Sequence, residues 1–180
     1  MKKKNVVLAV TGSIAAYKAC DLIRALQKLG FLVTVIMTKE AKEFVTALTF
    51  KELSKNKVYE GMFDKDADFD IEHISLAEKA DLILIAPATA NIIGKIANGI
   101  CDDLLSCTVM ATKKPVLIAS AMNENMYTNR IVQANINKLK SLGYKFVQPR
   151  RGELACGRVG WGCLAETEVI VKEAKKCLGR

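Results

Sequence analysis

The stretch "NVVLAVTGSIAAYK" (5–18) decides the fold. Asn5 is followed by five apolar residues, three of them valine, and then at once by Thr11-Gly12-Ser13 and a helical run. An unbroken apolar run fits a strand covered on both faces in a parallel sheet; a strand with one wet face would alternate. The Gly-Ser turn is where such a strand hands the chain to a helix, with Ser13 placed to cap it.

Outward from this unit the pattern repeats. Further apolar runs stand at "FLVTVIM" (31–37), "DLILIAP" (81–87), "PVLIASA" (115–121) and "YKFVQP" (144–149). Helical patterns lie at 14–29, 39–55, 89–111 with a break near Gly99, 127–142 and 166–178; Gly30 and Gly143 stop two of them. Strands alternating with helices over short connections predict an α/β chain: a three-layer α/β/α, Rossmann-like fold around a mostly parallel, doubly wound sheet. No repeat, low-complexity tract or linker interrupts it, so residues 1–180 read as a single domain.

The composition bounds the function. A chain of 180 residues with 51% hydrophobic content can bury one sizeable core. No apolar run approaches the roughly 20 residues that span a bilayer. "MKKKNVVLAVTG" lacks a small-residue cleavage site and reads as the first strand, so a cytoplasmic location is expected. The six cysteines (20, 101, 107, 156, 163 and 177) form no C-x-x-C pair, and one histidine is too few for a Cys/His zinc centre. Reduced thiols and no metal are expected. The net charge of +8 is dispersed, and aromatics are only 6%. That pattern fits a solubilising surface, part of it serving an anionic small molecule, and argues against nucleic acid and membrane as partners.

In doubly wound sheets ligands bind beyond the carboxyl ends of the strands. That rule selects "TGSIAAYK", "MTKEA", "PATANIIGK", "AMNENMY" and the loop "RGELACGRVGWGCLAE" (151–166). Backbone N–H groups and the helix start at Gly12 and Ser13 favour a phosphate, although a capped tight turn explains the same residues. It is neither G-x-G-x-x-G nor a P-loop. Thr38 ends the second strand and can reach the same ligand. After Pro87, small residues let something flat approach the backbone, and Asn91 and Lys95 share a helix face; a proline-opened helix start is the plainer reading. Asn123 offers a carbonyl and an amide at the sheet edge, while an Asn-Glu-Asn run is also an ordinary turn. His73 follows an acidic segment and can reach the edge as a base near neutral pH; a lone histidine is more often structural. Cys156 sits amid four glycines beside the only tryptophan, and disulfide, metal ligand, idle thiol and catalytic thiol are all open from the loop alone.

Taken together, in this order and spacing, "TGSIAAYK", His73, "PATANIIGKIANGICDDLLS", "AMNENM" and "ACGRVGWGCLAE" resemble the flavin-containing cysteine decarboxylases over essentially the whole chain. The resemblance implies FMN bound by Gly12, Ser13, Thr38, Pro87, Ala88, Thr89 and Ala90, with Ser106 near the phosphate. It implies His73 as the active-site base and Ala121, Met122 and Asn123 as the substrate motif, joined by Asn91 and Lys95. Cys156 then matches the proton donor on a substrate-clamping flap at about 150–165. The implied activity is decarboxylation of 4'-phosphopantothenoylcysteine to 4'-phosphopantetheine in coenzyme A biosynthesis. The family also implies homotrimers, assembled in some members into dodecamers, with FMN near a subunit interface. In many bacteria the domain is fused to the synthetase that makes its substrate.

The chemistry explains the parts. Loss of CO2 from an acylated cysteine leaves a carbanion with nothing to delocalise it. Oxidation of the thiol-bearing carbon to a thioaldehyde, with a flavin as hydride acceptor, removes that obstacle. Decarboxylation then gives an enethiolate, which returned hydride and a proton convert to the saturated thiol. A thiol on a closing flap suits the final protonation, and the loop's glycines are expected to serve as its hinges. An enzyme oxidising C-terminal peptide cysteine need not return the hydride, which makes the flap cysteine a feature against it. A non-catalytic flavin-binding regulatory subunit would not need His73, Asn123 and Cys156 together. Flavin prenyltransferases lack this flap, and a flavodoxin-like carrier would have a different phosphate loop.

Overall fold

A computed structural model of the chain describes residues 3–62, 71–155 and 157–179. Six strands form the central sheet: β1 (Asn5–Val10), β2 (Leu32–Met37), β3 (Val58–Tyr59), β4 (Leu82–Ala88), β5 (Val116–Ser120) and β6 (Lys145–Val147). Their order is β3-β2-β1-β4-β5-β6, and every neighbouring pair is parallel. The order reverses between β1 and β4, which is the topological switch point of a doubly wound sheet. All seven residues of β4 are buried, as are Val6 to Val10 of β1, so the apolar runs are strands covered on both faces.

The helices are α1 (Ala19–Lys28), α2 (Ala47–Ser54), α3 (Glu72–Lys79), α4 (Ala90–Ala97), α5 (Leu104–Ala111), α6 (Glu124–Tyr127), α7 (Arg130–Ser141) and α8 (Thr167–Cys177). Two separate cores flank the sheet. On one face Leu22, Ile23 and Leu26 of α1, Phe50 of α2 and Ile170 of α8 pack on Leu8, Val33, Val35 and Leu84. On the other, Leu76 of α3, Ile92 and Ile96 of α4, Leu105 of α5 and Ile136 of α7 pack on Val7, Ile83, Ile85 and Ile118. That division is the three-layer architecture the sequence implies.

The differences from the sequence reading have local causes. The first helix opens as a 3-10 turn, Ile14–Lys18, with Ser13 capping it at Ala15. The long pattern at 89–111 is two helices: α4 stops at Asn98 and Gly99 (φ +68), and Asp103 caps α5 in a reciprocal capping box with Ser106. The 127–142 pattern begins earlier, as one turn (α6), before Asn129 caps α7. The edge strand β3 is too short to carry a pattern. The stretch read as a loop at 151–166 is largely an antiparallel hairpin, β7 (Arg150–Glu153) with β8 (Val159–Cys163), standing apart from the main sheet.

Candidate active site

The rim of the site is built at the switch point. Thr11, buried at the end of β1, donates its hydroxyl to the Pro87 carbonyl (2.7 Å) and accepts from the Thr89 N–H (3.1 Å). One side chain thus fixes the β1 turn to the β4 turn, whose Ala86–Pro87 peptide is cis. Gly12 is required by a close approach: a Cβ there would fall on Cβ of Glu40 in the loop after β2. Thr89 caps α4 through the Ile92 N–H (3.4 Å). These turns enclose a cavity of ≈ 230 Å³ lined by Thr11, Gly12, Thr38, Thr89, Asn91 and Asp103, among others. In it Thr38 Oγ1 is buried with no hydrogen-bond partner among the described residues. An orphaned hydroxyl is costly unless a ligand satisfies it.

The second part is a larger cleft of ≈ 630 Å³; Ser13 lines it, while its neighbour Gly12 lines the smaller cavity. Its walls are Ser13, Tyr17 and Lys18 on one side, Ala121, Met122 and Asn123 on the next, and Arg150, Leu154 and Gly162 of the hairpin region opposite. Asn123 caps α6 with Oδ1 accepting from the Asn125 N–H (2.9 Å), which fixes the orientation of its amide. The hairpin is seated directly on this turn. The Met122 N–H donates to the Gly162 carbonyl (3.0 Å), and the Trp161 N–H donates to Glu124 Oε1 (2.9 Å). Gly160 and Gly162 leave no space for side chains: a Cβ on Gly160 would enter the Glu124 carboxylate, and one on Gly162 (φ +130) would enter the Met122 carbonyl. These two glycines therefore permit close docking. Gly157 (φ +78) meets nothing and is the glycine that serves a turn.

A charged cluster supports the rim from behind. The Lys95 ammonium lies 2.7 Å from Asp102 and 2.8 Å from Asp103. Burial alone would depress the ammonium, but hydrogen bonds to both carboxylates hold its pKa above the ordinary lysine value. Burial likewise works against ionised Asp103, yet bonds from Lys95 and Ser106 hold its pKa below the usual carboxylate range. Ser106 is fully buried, its hydroxyl donating to the Asp103 carbonyl (3.0 Å).

Of the residues expected from sequence, Gly12, Thr38, Thr89 and Asn91 line the smaller cavity, and Ser13, Ala121, Met122 and Asn123 line the cleft. Pro87 and Ala88 are buried in β4, and Ala90 begins α4. Lys95 and Ser106 line neither space; both are tied to Asp103. His73 lies half-buried in the first turn of α3, lining neither space. Cys156 lies outside the described residues, as do Phe63 to Asp70. Sequence reasoning missed Thr11, whose signal is a lone hydroxyl closing an apolar strand, and Glu124, whose partner is the Gly-x-Gly spacing of 160–162. It also missed Arg150, 2.8 Å from Glu166 through Nε. Among the described residues no group of His, Cys, Asp and Glu is arranged to hold a metal ion, and no helix is long and apolar enough to cross a membrane.

A model of the Flavoprotein family matches residues 1–179. The coenzyme A biosynthesis bifunctional protein CoaBC of Bacillus subtilis (strain 168) is 51% identical over 176 residues, covering 98% of this chain and 43% of that protein. The chain therefore spans less than half of that relative. A probable phosphopantothenoylcysteine decarboxylase of Streptococcus mutans serotype c is 46% identical over 177 residues, 97% of this chain and 99% of that one. Among solved structures, a cysteine-to-serine mutant of a PPC decarboxylase, complexed with pantothenoylaminoethenethiol, superposes with TM-score 0.88 at 31% identity, covering 99% of this chain and 100% of that one. The FMN-binding protein AtHal3 gives TM-score 0.82 at 33% identity, over 97% and 96% of the two chains.

Proposed function

Because the chain belongs to the flavoprotein family, as the match over residues 1–179 establishes, we propose that it is an FMN-dependent lyase that decarboxylates 4'-phosphopantothenoylcysteine to 4'-phosphopantetheine in coenzyme A biosynthesis. The observation that carries this reading is the orphaned Thr38 hydroxyl in a cavity lined by Gly12, next along the chain to Ser13 in the wall of the cleft that Asn123 also lines. The donor set suits FMN. Backbone N–H groups at the Gly12-Ser13 turn and the Thr38 hydroxyl would hold the phosphate, and the small residues Ala88, Thr89 and Ala90 would admit the flat ring system. Bound there, the flavin supplies hydride acceptance from the substrate's thiol-bearing carbon and its later return.

The chain's own groups do the rest. Asn123, held by its cap bond, orients the substrate carboxylate beside the backbone of Ala121 and Met122. His73 removes the proton that accompanies oxidation; its place outside both spaces suits a site completed by a second copy of the chain in a homotrimer. Cys156 returns a proton at the end. The hairpin, locked on Glu124 and Met122, excludes water from the cleft. Residues 1–180 would then be the decarboxylase domain, cytoplasmic, supplied by a phosphopantothenoylcysteine synthetase that is fused or separate. The test is an absorbance spectrum of the purified protein, followed by mass spectrometry of phosphopantothenoylcysteine turnover. A flavin spectrum that releases FMN, with phosphopantetheine formed, is expected. FAD, or a folded and reconstituted protein without flavin, would overturn the reading.

A further inference from the structure

We propose that Lys18, backed by Arg150, is the specificity element that recognises the phosphate monoester of the substrate, so that the cleft selects a phosphorylated pantothenoyl thiol over its dephosphorylated form. The proposal rests on the function proposed above. Lys18 and Arg150 are the only cationic side chains among the described residues that line the larger cleft. They differ in commitment. Arg150 Nε lies 2.8 Å from a Glu166 carboxylate oxygen, an ion pair whose geometry makes no hydrogen bond, whereas no ion pair among the described residues engages Lys18. The cleft's remaining charged group, Glu153, stands on the hairpin side. A positive wall therefore remains at Lys18.

Local stability does not account for that lysine. It ends the 3-10 turn and stands at the start of α1, where the helix dipole disfavours a cation. A half-buried lysine that lines the cleft and is opposed by the dipole is stabilised when an anion arrives. Two anions compete for the role. The flavin phosphate has its donors at Gly12 and Thr38 in the smaller cavity, which Lys18 does not line. The substrate carboxylate belongs with Asn123 on another wall. The far anionic end of the substrate is left for Lys18, with exposed Tyr17 and Ile14 beside it to pack on the dimethyl carbon of the pantothenoyl stem.

The test compares kcat/KM of the FMN-loaded protein for phosphopantothenoylcysteine and for pantothenoylcysteine. The wild-type chain should prefer the phosphorylated thiol, and Lys18→Gln should lower that preference by about 10- to 100-fold, the usual weight of a hydrogen bond to a charged group. The loss should appear mainly in KM, with FMN occupancy retained by absorbance. Lys18→Arg should restore most of it, and Arg150→Gln should lower it by a smaller factor. A preference unchanged in Lys18→Gln, with both thiols still turned over, overturns this proposal and leaves the function standing. Loss of FMN from Lys18→Gln also overturns it, by moving the lysine to the flavin. If the wild-type chain turns over neither thiol, function and proposal fall together.

Discussion

The switch-point rim and the β7–β8 hairpin meet at the same cleft but are built by opposite means. The rim is positioned from beneath. Two fully apolar strands fix the turns, and buried Thr11 ties one turn to the other. The hairpin's strands have almost no core of their own: residues 150, 152 and 163 are half-buried, Arg151, Glu153, Val159 and Trp161 are exposed, and of the strand residues Gly160 and Gly162 are buried. The hairpin is held from the side, by the Met122 N–H donating to the Gly162 carbonyl and the Trp161 N–H donating to the Glu124 carboxylate, which two missing side chains permit. The contrast points to a division of labour. Under the proposed function, a rim fixed from beneath would keep flavin and substrate in reacting geometry, and an element docked through few bonds would open and close at small cost.

The largest expected effect is at His73, in the first turn of α3. His73→Asn should keep FMN but lower substrate-driven flavin reduction by roughly 10²–10⁴-fold, the usual loss for a general base. Stopped-flow absorbance decides it; near-normal reduction would return His73 to a structural role.

Next come two glycines that separate the regions. Gly12→Ala drives a Cβ onto Glu40 and should spread the rim, weakening FMN by about 10- to 100-fold, the range of overpacking costs. Gly162→Ala drives a Cβ onto the Met122 carbonyl at a strained φ. It should leave FMN affinity nearly unchanged while kcat/KM falls by a similar factor. Flavin fluorescence titration and steady-state assays read the two. If both variants lose flavin equally, the two regions are one unit and the contrast fails.

How much of this was legible in the sequence follows the same division. The rim could be read because its strands are continuous apolar runs with glycine and proline at their ends, and those signals are local. Gly12, Thr38, Thr89 and Asn123 fall where the carboxyl-end rule puts them. The hairpin could not be read, because a short glycine-rich strand pair buries little and its contacts are distant: Trp161 meets Glu124 37 residues away. Lys95 illustrates another limit. Its helical spacing from Asn91 indicates a shared face, but not that Asp102 and Asp103, beyond the helix end, turn back onto it. The family resemblance supplied the role of Cys156, which spacing alone left open.

A smaller effect should come from the charged cluster behind the rim. Asp103 has its pKa held below the ordinary 3.8, so its contribution is present above that value and is lost as pH falls through the depressed one. Lys95 is held above its ordinary 10.5, so its share is lost only as pH rises beyond that. Asp103→Asn should therefore cost on the order of 1–2 kcal/mol at neutral pH and flatten the acid limb of stability. Urea titrations from neutral to acid pH check this; an unchanged acid limb would place the titrating group elsewhere.

The division of labour is tested most directly by anaerobic single turnover of Cys156→Ser with phosphopantothenoylcysteine, following flavin absorbance and weighing the product. If oxidation proceeds without Cys156 and Cys156 supplies the final proton, the variant should bind FMN, release CO2, accumulate reduced flavin and yield a thiol lacking two hydrogens relative to phosphopantetheine. Cys163→Ser, at the hairpin's exit, should turn over normally. Complete turnover by Cys156→Ser, with oxidised flavin and the saturated product, would contradict the account.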